Sequence, residues 1–304
     1  MFVCYARDSS GLKSLSGKML AMDLSLGPVC LVVTDLVPML DFYVKEMGFM
    51  MKRSDGHLVE LYSNDSSSEP LLILRYETKA ERAPIDATGL YHFAILLPDR
   101  KSLAAAYLSL GSAGVIFDGY ADHLVSEALY LTDPEGNGIE IYADRPRDAW
   151  KFDENGKIQM ATEPLDIDSL IMEVSGTSQS SLKAFETGAR LGHIHLKVAN
   201  LERSIAFYQQ LLEMNVVSYW GSAAFLSVGG YHHHIGMNTW ESFGGPARAK
   251  DWSGIEYFTI KVGRKASSNL AAKLSNGAVA YSQDSERLFV ADPDGIELLI
   301  TPTD

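Results

Sequence analysis

Pro28-Val29-Cys30-Leu31-Val32-Val33 is an unbroken apolar run rich in β-branched residues, the pattern of a strand covered on both faces. Thr34 or Asp35 then stands as a helix cap. Leu36, Leu40, Tyr43 and Met47 follow at helical spacing until Gly48 stops the pattern. Alternating runs at 49–53, 57–62 and 71–76 predict three strands, with the polar cluster 64–69 as a turn. The same order returns three more times. A second copy runs from a strand at 89–97 through a helix at 101–110 to Asp133-Pro134-Glu135-Gly136-Asn137-Gly138-Ile139-Glu140. A third opens at 191–198, with Asn200 capping a helix at 201–212. A fourth opens at 254–260 and ends in Asp292-Pro293-Asp294-Gly295-Ile296-Glu297. Phe42-Tyr43 recurs as Phe207-Tyr208, at the same separation as Asp35 from Asn200. Self-similarity of this kind predicts an α+β chain of four βαβββ modules, two in each half.

Residues 144–189 break the periodicity with Pro146, Pro164, acidic residues and a Ser-rich stretch at 175–181, so they read as a linker with one helical turn near 167–172. The expected division is an amino-terminal extension at 1–23, a first domain at 24–143, the linker at 144–189 and a second domain at 190–304. Residues 1–18 lack the apolar core of a signal peptide. Met19 and Met22 sit just before the first strand, and a later translation start and a short frayed extension both fit that placing.

Candidate chemistry concentrates in Gly229-Gly230-Tyr231-His232-His233-His234-Ile235-Gly236, which holds three of the eight histidines. If the run is a strand, His232 and His234 share one face and His233 takes the other. The run is internal and flanked by apolar β-type sequence, unlike a tag or a low-complexity tract. Core histidines satisfied by hydrogen bonds are the bland alternative, but three together point to a metal or substrate role.

Composition narrows the partners. The net charge of -13 argues against nucleic acid and anionic membranes and favours a small-molecule substrate. No apolar run approaches the roughly 18 residues of a membrane span. Two cysteines, Cys4 and Cys30, are too few for a disulfide framework, so a reducing cytoplasm is expected.

Leu191-Gly192-His193-Ile194-His195-Leu196, the His run, Asn238-Thr239-Trp240, and the linker pieces Asp144-Arg145-Pro146-Arg147 and Pro164-Leu165-Asp166 together resemble the vicinal-oxygen-chelate superfamily. That superfamily takes in glyoxalase I, bleomycin-resistance proteins and extradiol dioxygenases, and the resemblance runs closest to the catechol 2,3-dioxygenases of Bacillus type. It implies paired modules forming two open-barrel cups, with a divalent metal held by residues on the first and last strands of each module. Placed on the carboxyl-terminal pair, the ligands fall on His193, His234 (or His232) and Glu297. Two histidines and one carboxylate are a set suited to Fe(II), or to Mn(II) in its place.

The implied activity is extradiol cleavage of catechol or a substituted catechol by O2, within aromatic hydrocarbon catabolism. His195, His232 and Tyr257 are then candidates for moving protons or holding oxygen intermediates, and Asn238 for orienting an imidazole. Tyr257 stands where many extradiol enzymes carry a second histidine. The amino-terminal half keeps His92 and Glu140, but it has Pro28 where the other half has His193. It is therefore expected to be a degenerate duplicate without a site. A metal-dependent isomerase or lyase of glyoxalase type and a metal-free binding protein of resistance type are the alternatives. Exposed edges of paired modules allow a homo-oligomer.

Overall fold

The computed structural model describes residues 23–303 apart from 65, 155, 179, 180, 186, 187, 277 and 278. Residues 1–22, and with them nearly all of the expected extension, lie outside the described residues.

Four βαβββ modules are present. The first contains β1 (Leu24–Val33), α1 (Leu36–Leu40), β2 (Met50–Ser54), β3 (Leu58–Tyr62) and β4 (Leu72–Tyr76). The second contains β5 (Gly89–Leu97), α2 (Arg100–Ser112), β6 (Gly119–Asp122), β7 (Ser126–Thr132) and β8 (Gly138–Asp144). A short helix α3 (Ile167–Met172) lies in the connection to the third module. That module has β9 (Arg190–Lys197), α4 (Leu201–Leu212), β10 (Asn215–Trp220), β11 (Ala223–Ser227) and β12 (Ile235–Asn238). The fourth comprises β13 (Gly254–Gly263), α5 (Arg264–Asn276), β14 (Tyr281–Asp284), β15 (Arg287–Ala291) and β16 (Glu297–Thr303).

Local chemistry explains the helix starts. Asp35, Asp99 and Asn200 each sit in extended backbone, and their side chains accept from Val37 N, Ser102 N and Arg203 N. The first helix widens into a π-helical turn at Asp41–Glu46 before Gly48, at φ 82°, ends it.

Module partners are not those expected from chain order. One eight-stranded sheet runs β14-β15-β16-β13-β1-β4-β3-β2 and joins the first module to the fourth. The other runs β10-β11-β12-β9-β5-β8-β7-β6 and joins the second to the third. The domain division at 24–143 and 190–304 therefore does not match the sheets. In each sheet the two first strands meet antiparallel at the centre, and each pairs on its other side with the last strand of its own module, in parallel. The connection 145–189 makes the second pairing local. Trp150 and Ile158 pack on Val125, Arg145 reaches Asp122 and Glu127, and Arg100 reaches Ser169 and Glu173. The linker thus lies along the second module and delivers β9 beside β5.

Modules adjacent in the chain are clasped differently. Tyr43 donates to Asp133 (2.8 Å), and Tyr208 donates to Asp292 (2.8 Å). The repeated Phe-Tyr pair thus docks each odd-numbered module on the Asp-Pro turn of the next. All four partners are buried, and burial pushes the Asp292 carboxyl up to about 7. Among the described residues no helix is long and apolar enough to cross a membrane.

Candidate metal centre

Strand alternation turns every second residue of β5, β8 and β9 into the cup of the second sheet, so His92, Glu140, His193 and His195 face one another there. His193 Nε2 and His92 Nε2 each lie 3.1 Å from Glu140 Oε2. One ligand atom from each of the three residues falls within 4.8 Å of the other two. The trio is buried, and His193 Nδ1 has no hydrogen-bond partner. Two imidazoles converging on one buried carboxylate oxygen fit a shared cation.

The electrostatics set those protonation states. Burial, opposed only in part by Glu140, pushes His193 down to about 4. Burial also pushes Glu140 up, but the two histidines outweigh it and hold the carboxyl well below the usual range. Near neutral pH the carboxylate is ionised and the His193 imidazole is neutral, as metal ligation requires.

Around the trio lies a cavity of about 540 Å³. Tyr130 sits opposite Glu140 in the β7–β8 ladder and takes a 2.7 Å hydrogen bond with His123 Nε2. His195 is held by the Asn238 amide, which donates to its Nε2 (3.0 Å). The His195 ring lies over Gly236, where an added Cβ would stand 3.0 Å from it. His233 reaches the cavity and packs on His193, with ring centroids 4.1 Å apart. Behind it, His233 Nδ1 meets His232 Nδ1 (2.8 Å), and His232 Nε2 meets Asp144 Oδ1 (2.9 Å).

Several expected site residues lie elsewhere. Glu297 and Tyr257 are a paired couple in the other sheet and do not line the cavity around His193. His234 bonds to Ser227 Oγ through Nδ1 (3.0 Å) and does not line the cavity, and His232 is buried behind it. The reason for the last two is local. Gly229 and Gly230 take positive φ values of 64° and 70°, and β12 starts only at Ile235. The His run is therefore a loop, so strand alternation does not apply and the middle histidine points inward. His92 and Glu140, expected to be relics of a lost site, are two thirds of the trio.

The sequence at 25–141 and 190–252 matches the family profile described as Glyoxalase/Bleomycin resistance protein/Dioxygenase superfamily. A curated catechol-2,3-dioxygenase of Bacillus subtilis (strain 168) is 40% identical over 275 residues, covering 89% of this chain and 94% of its own. The chain belongs to the glyoxalase/bleomycin resistance protein/dioxygenase superfamily. The superfamily fold is evident in solved structures too. A putative dioxygenase from Bacillus subtilis superposes with a TM-score of 0.60 at 10% identity, over 92% of this chain and 86% of its own. Glyoxalase I from Zea mays gives 0.51 at 16% identity, over 92% and 93%.

Within the superfamily plan, the position related to Glu140 by the pseudo-twofold axis of this sheet is informative. Ala94 pairs with Glu140 on β8, and its counterpart His195 pairs with Gly236 on β12. One side of the cup carries a carboxylate beside a small residue, and the other carries an imidazole beside a glycine.

Proposed function

We propose that this protein is a non-haem Fe(II)-dependent extradiol dioxygenase that opens the ring of catechol or a substituted catechol with O2. The observation that carries the reading is the His92–Glu140–His193 trio at the base of a roomy cavity, in a chain 40% identical to a catechol-2,3-dioxygenase. Iron held there supplies Lewis acidity toward two vicinal hydroxyls and the electron-transfer partner for O2.

The chain's own residues do the remaining work. Tyr130 and His123 brace the wall beside Glu140. Burial pushes the His195 and His233 imidazoles down; the acceptor nitrogen of His195 is taken by Asn238, so His233 is the proton acceptor. His233, His232 and Asp144 form a hydrogen-bonded file from the cavity to a carboxylate 26% exposed at the surface, which gives a proton taken in the cavity a way out. The glyoxalase-type isomerase reading wants a second carboxylate across the axis from Glu140, and Gly236 occupies that place. Cys30, a buried free thiol, is in keeping with a place in the cytoplasm.

Oxygen uptake with catechol, using protein loaded anaerobically with Fe(II) beside a metal-free control, tests the reading. Uptake with a yellow ring-opened product in the loaded sample alone is the expected result. Stable iron loading without uptake on any catechol overturns it.

A further inference from the structure

Lys197 continues the strand face that carries His193 and His195. At about 3.3 Å per residue it stands roughly 13 Å beyond His193, toward the outer end of the cavity. Among the described residues lining the cavity it is the one side chain with a permanent positive charge, and that charge is engaged. Its Nζ lies 3.7 Å from Glu241 Oε2 and donates to Ile85 O (3.4 Å). Asp118 adds a second acidic group to the lining and accepts from Thr132 Oγ1. Lys197 thus brings no free positive charge to the outer end of the cavity. Its walls are otherwise largely apolar, with Leu90, Met160, Trp220, Phe225 and Trp240. The loops that supply Glu241 and the Ile85 carbonyl also expose Phe243 and Ile85 itself, at 82% and 81%.

A benzenediol ring with its hydroxyls at the trio would be shorter than the roughly 13 Å between His193 and Lys197 along the strand. The 540 Å³ cavity, within the roughly 300–1,000 Å³ of sites that bury drug-sized ligands, has room for much more than that ring. Building on the dioxygenase reading, we infer that the substrate is a catechol with an uncharged apolar substituent pointing outward, and that the Lys197–Glu241 pair selects against carboxylated catechols. The apolar walls reward burial of such a group. A substrate carboxylate would have to displace Glu241 from Lys197 and then sit beside the displaced Glu241 carboxylate.

Anaerobic titration calorimetry on the Zn(II)-loaded protein, which is inert to oxygen chemistry, compares 4-tert-butylcatechol with 3,4-dihydroxybenzoate. The neutral diol binds at least about tenfold more tightly, and Glu241→Gln, at a half-exposed position, narrows the ratio at least about threefold by freeing Lys197. Equal or tighter binding of the carboxylate by the unaltered protein overturns the inference, and so does an unchanged ratio in the variant. Failure of both diols to bind, with no oxygen uptake by the iron-loaded protein, overturns the dioxygenase reading beneath it.

Discussion

Where the second-and-third-module sheet has His92, the first-and-fourth has Tyr257. Where it has His193 the other has Pro28, and where it has Glu140, by ladder position, the other has Leu299. Opposite Cys30 on β4 stands Ile73, in the place of Gly236. The strands, their order and their parallel and antiparallel pairings are the same in both sheets. In place of such a trio, the cup of the first-and-fourth-module sheet holds an ion pair, Arg75 Nε to Glu256 Oε2 at 2.7 Å, with the Cys30 thiol donating to the same carboxylate oxygen at 3.4 Å. Arg75 occupies the ladder position of Asn238, the residue that steadies His195 in the cup with the trio. One cup leaves a buried imidazole nitrogen unpartnered, and the other joins its charged groups to each other. Keeping polar groups poised for a ligand and satisfying them internally are opposite uses of one scaffold.

The largest test of that contrast removes ligands. Glu140→Ala or His193→Ala lowers metal content and oxygen uptake together, beyond the roughly 10–100-fold that loss of an outer partner costs. Glu297→Ala, in the other sheet, leaves both unchanged. Metal analysis and oxygen electrode traces on the three variants decide it, and loss of metal from the Glu297 variant alone would reverse the assignment of the cups.

A second test uses acid. His193 is held at about 4 in the fold and titrates near 6.5 when unfolded. The native metal-free protein therefore binds fewer protons than the unfolded chain between those values. Its stability is whole above pH 6.5 and falls as the pH drops to about 4, by about 3 kcal/mol from this group. Denaturant unfolding of the metal-free protein at pH 7 and pH 4.5 measures the fall, and His193→Asn reduces its slope by about one proton.

The smallest effect belongs to the other cup. Arg75→Met strands a half-buried carboxylate and lowers unfolding stability by about 1–2 kcal/mol, discounted for partial exposure. Turnover of the metal-loaded enzyme stays the same. A loss of turnover larger than the loss of folded protein would tie that cup to the reaction.

Much of this was legible in the chain. The four modules and their helix caps at Asp35 and Asn200 follow from period and turn chemistry. The choice of partners does not, because alternation inside a strand says which face is buried and nothing about which edge meets it. That gap hides His92 and Glu140, whose positions are plain in the chain but whose third partner, His193, comes from the next module and not from the place of Pro28. Glu297 was misplaced by two residues. Matching Ile296-Glu297 to Ile139-Glu140 ignores the turn bonds Asp133 N to Asn137 O and Asp292 N to Ile296 O, which align Glu297 with Gly138. The His run misled for a related reason, since two glycines in left-handed backbone remove the strand on which its alternation was counted.

The exchange of partners between halves has a consequence for assembly on the ribosome. β1 is completed at Val33, but its central neighbour β13 opens only at Gly254. At about 5–20 residues per second, the first module waits on the order of ten seconds or more with that strand edge unpaired. The cup with the metal trio has all its strands once β12 ends at Asn238. A nascent chain halted there holds every proposed ligand yet carries an orphan module with a bare apolar edge, an invitation to pair with the same edge on a neighbouring chain. The cup with the His92–Glu140–His193 trio is ready early, and the other cup governs when the molecule is safe from aggregation.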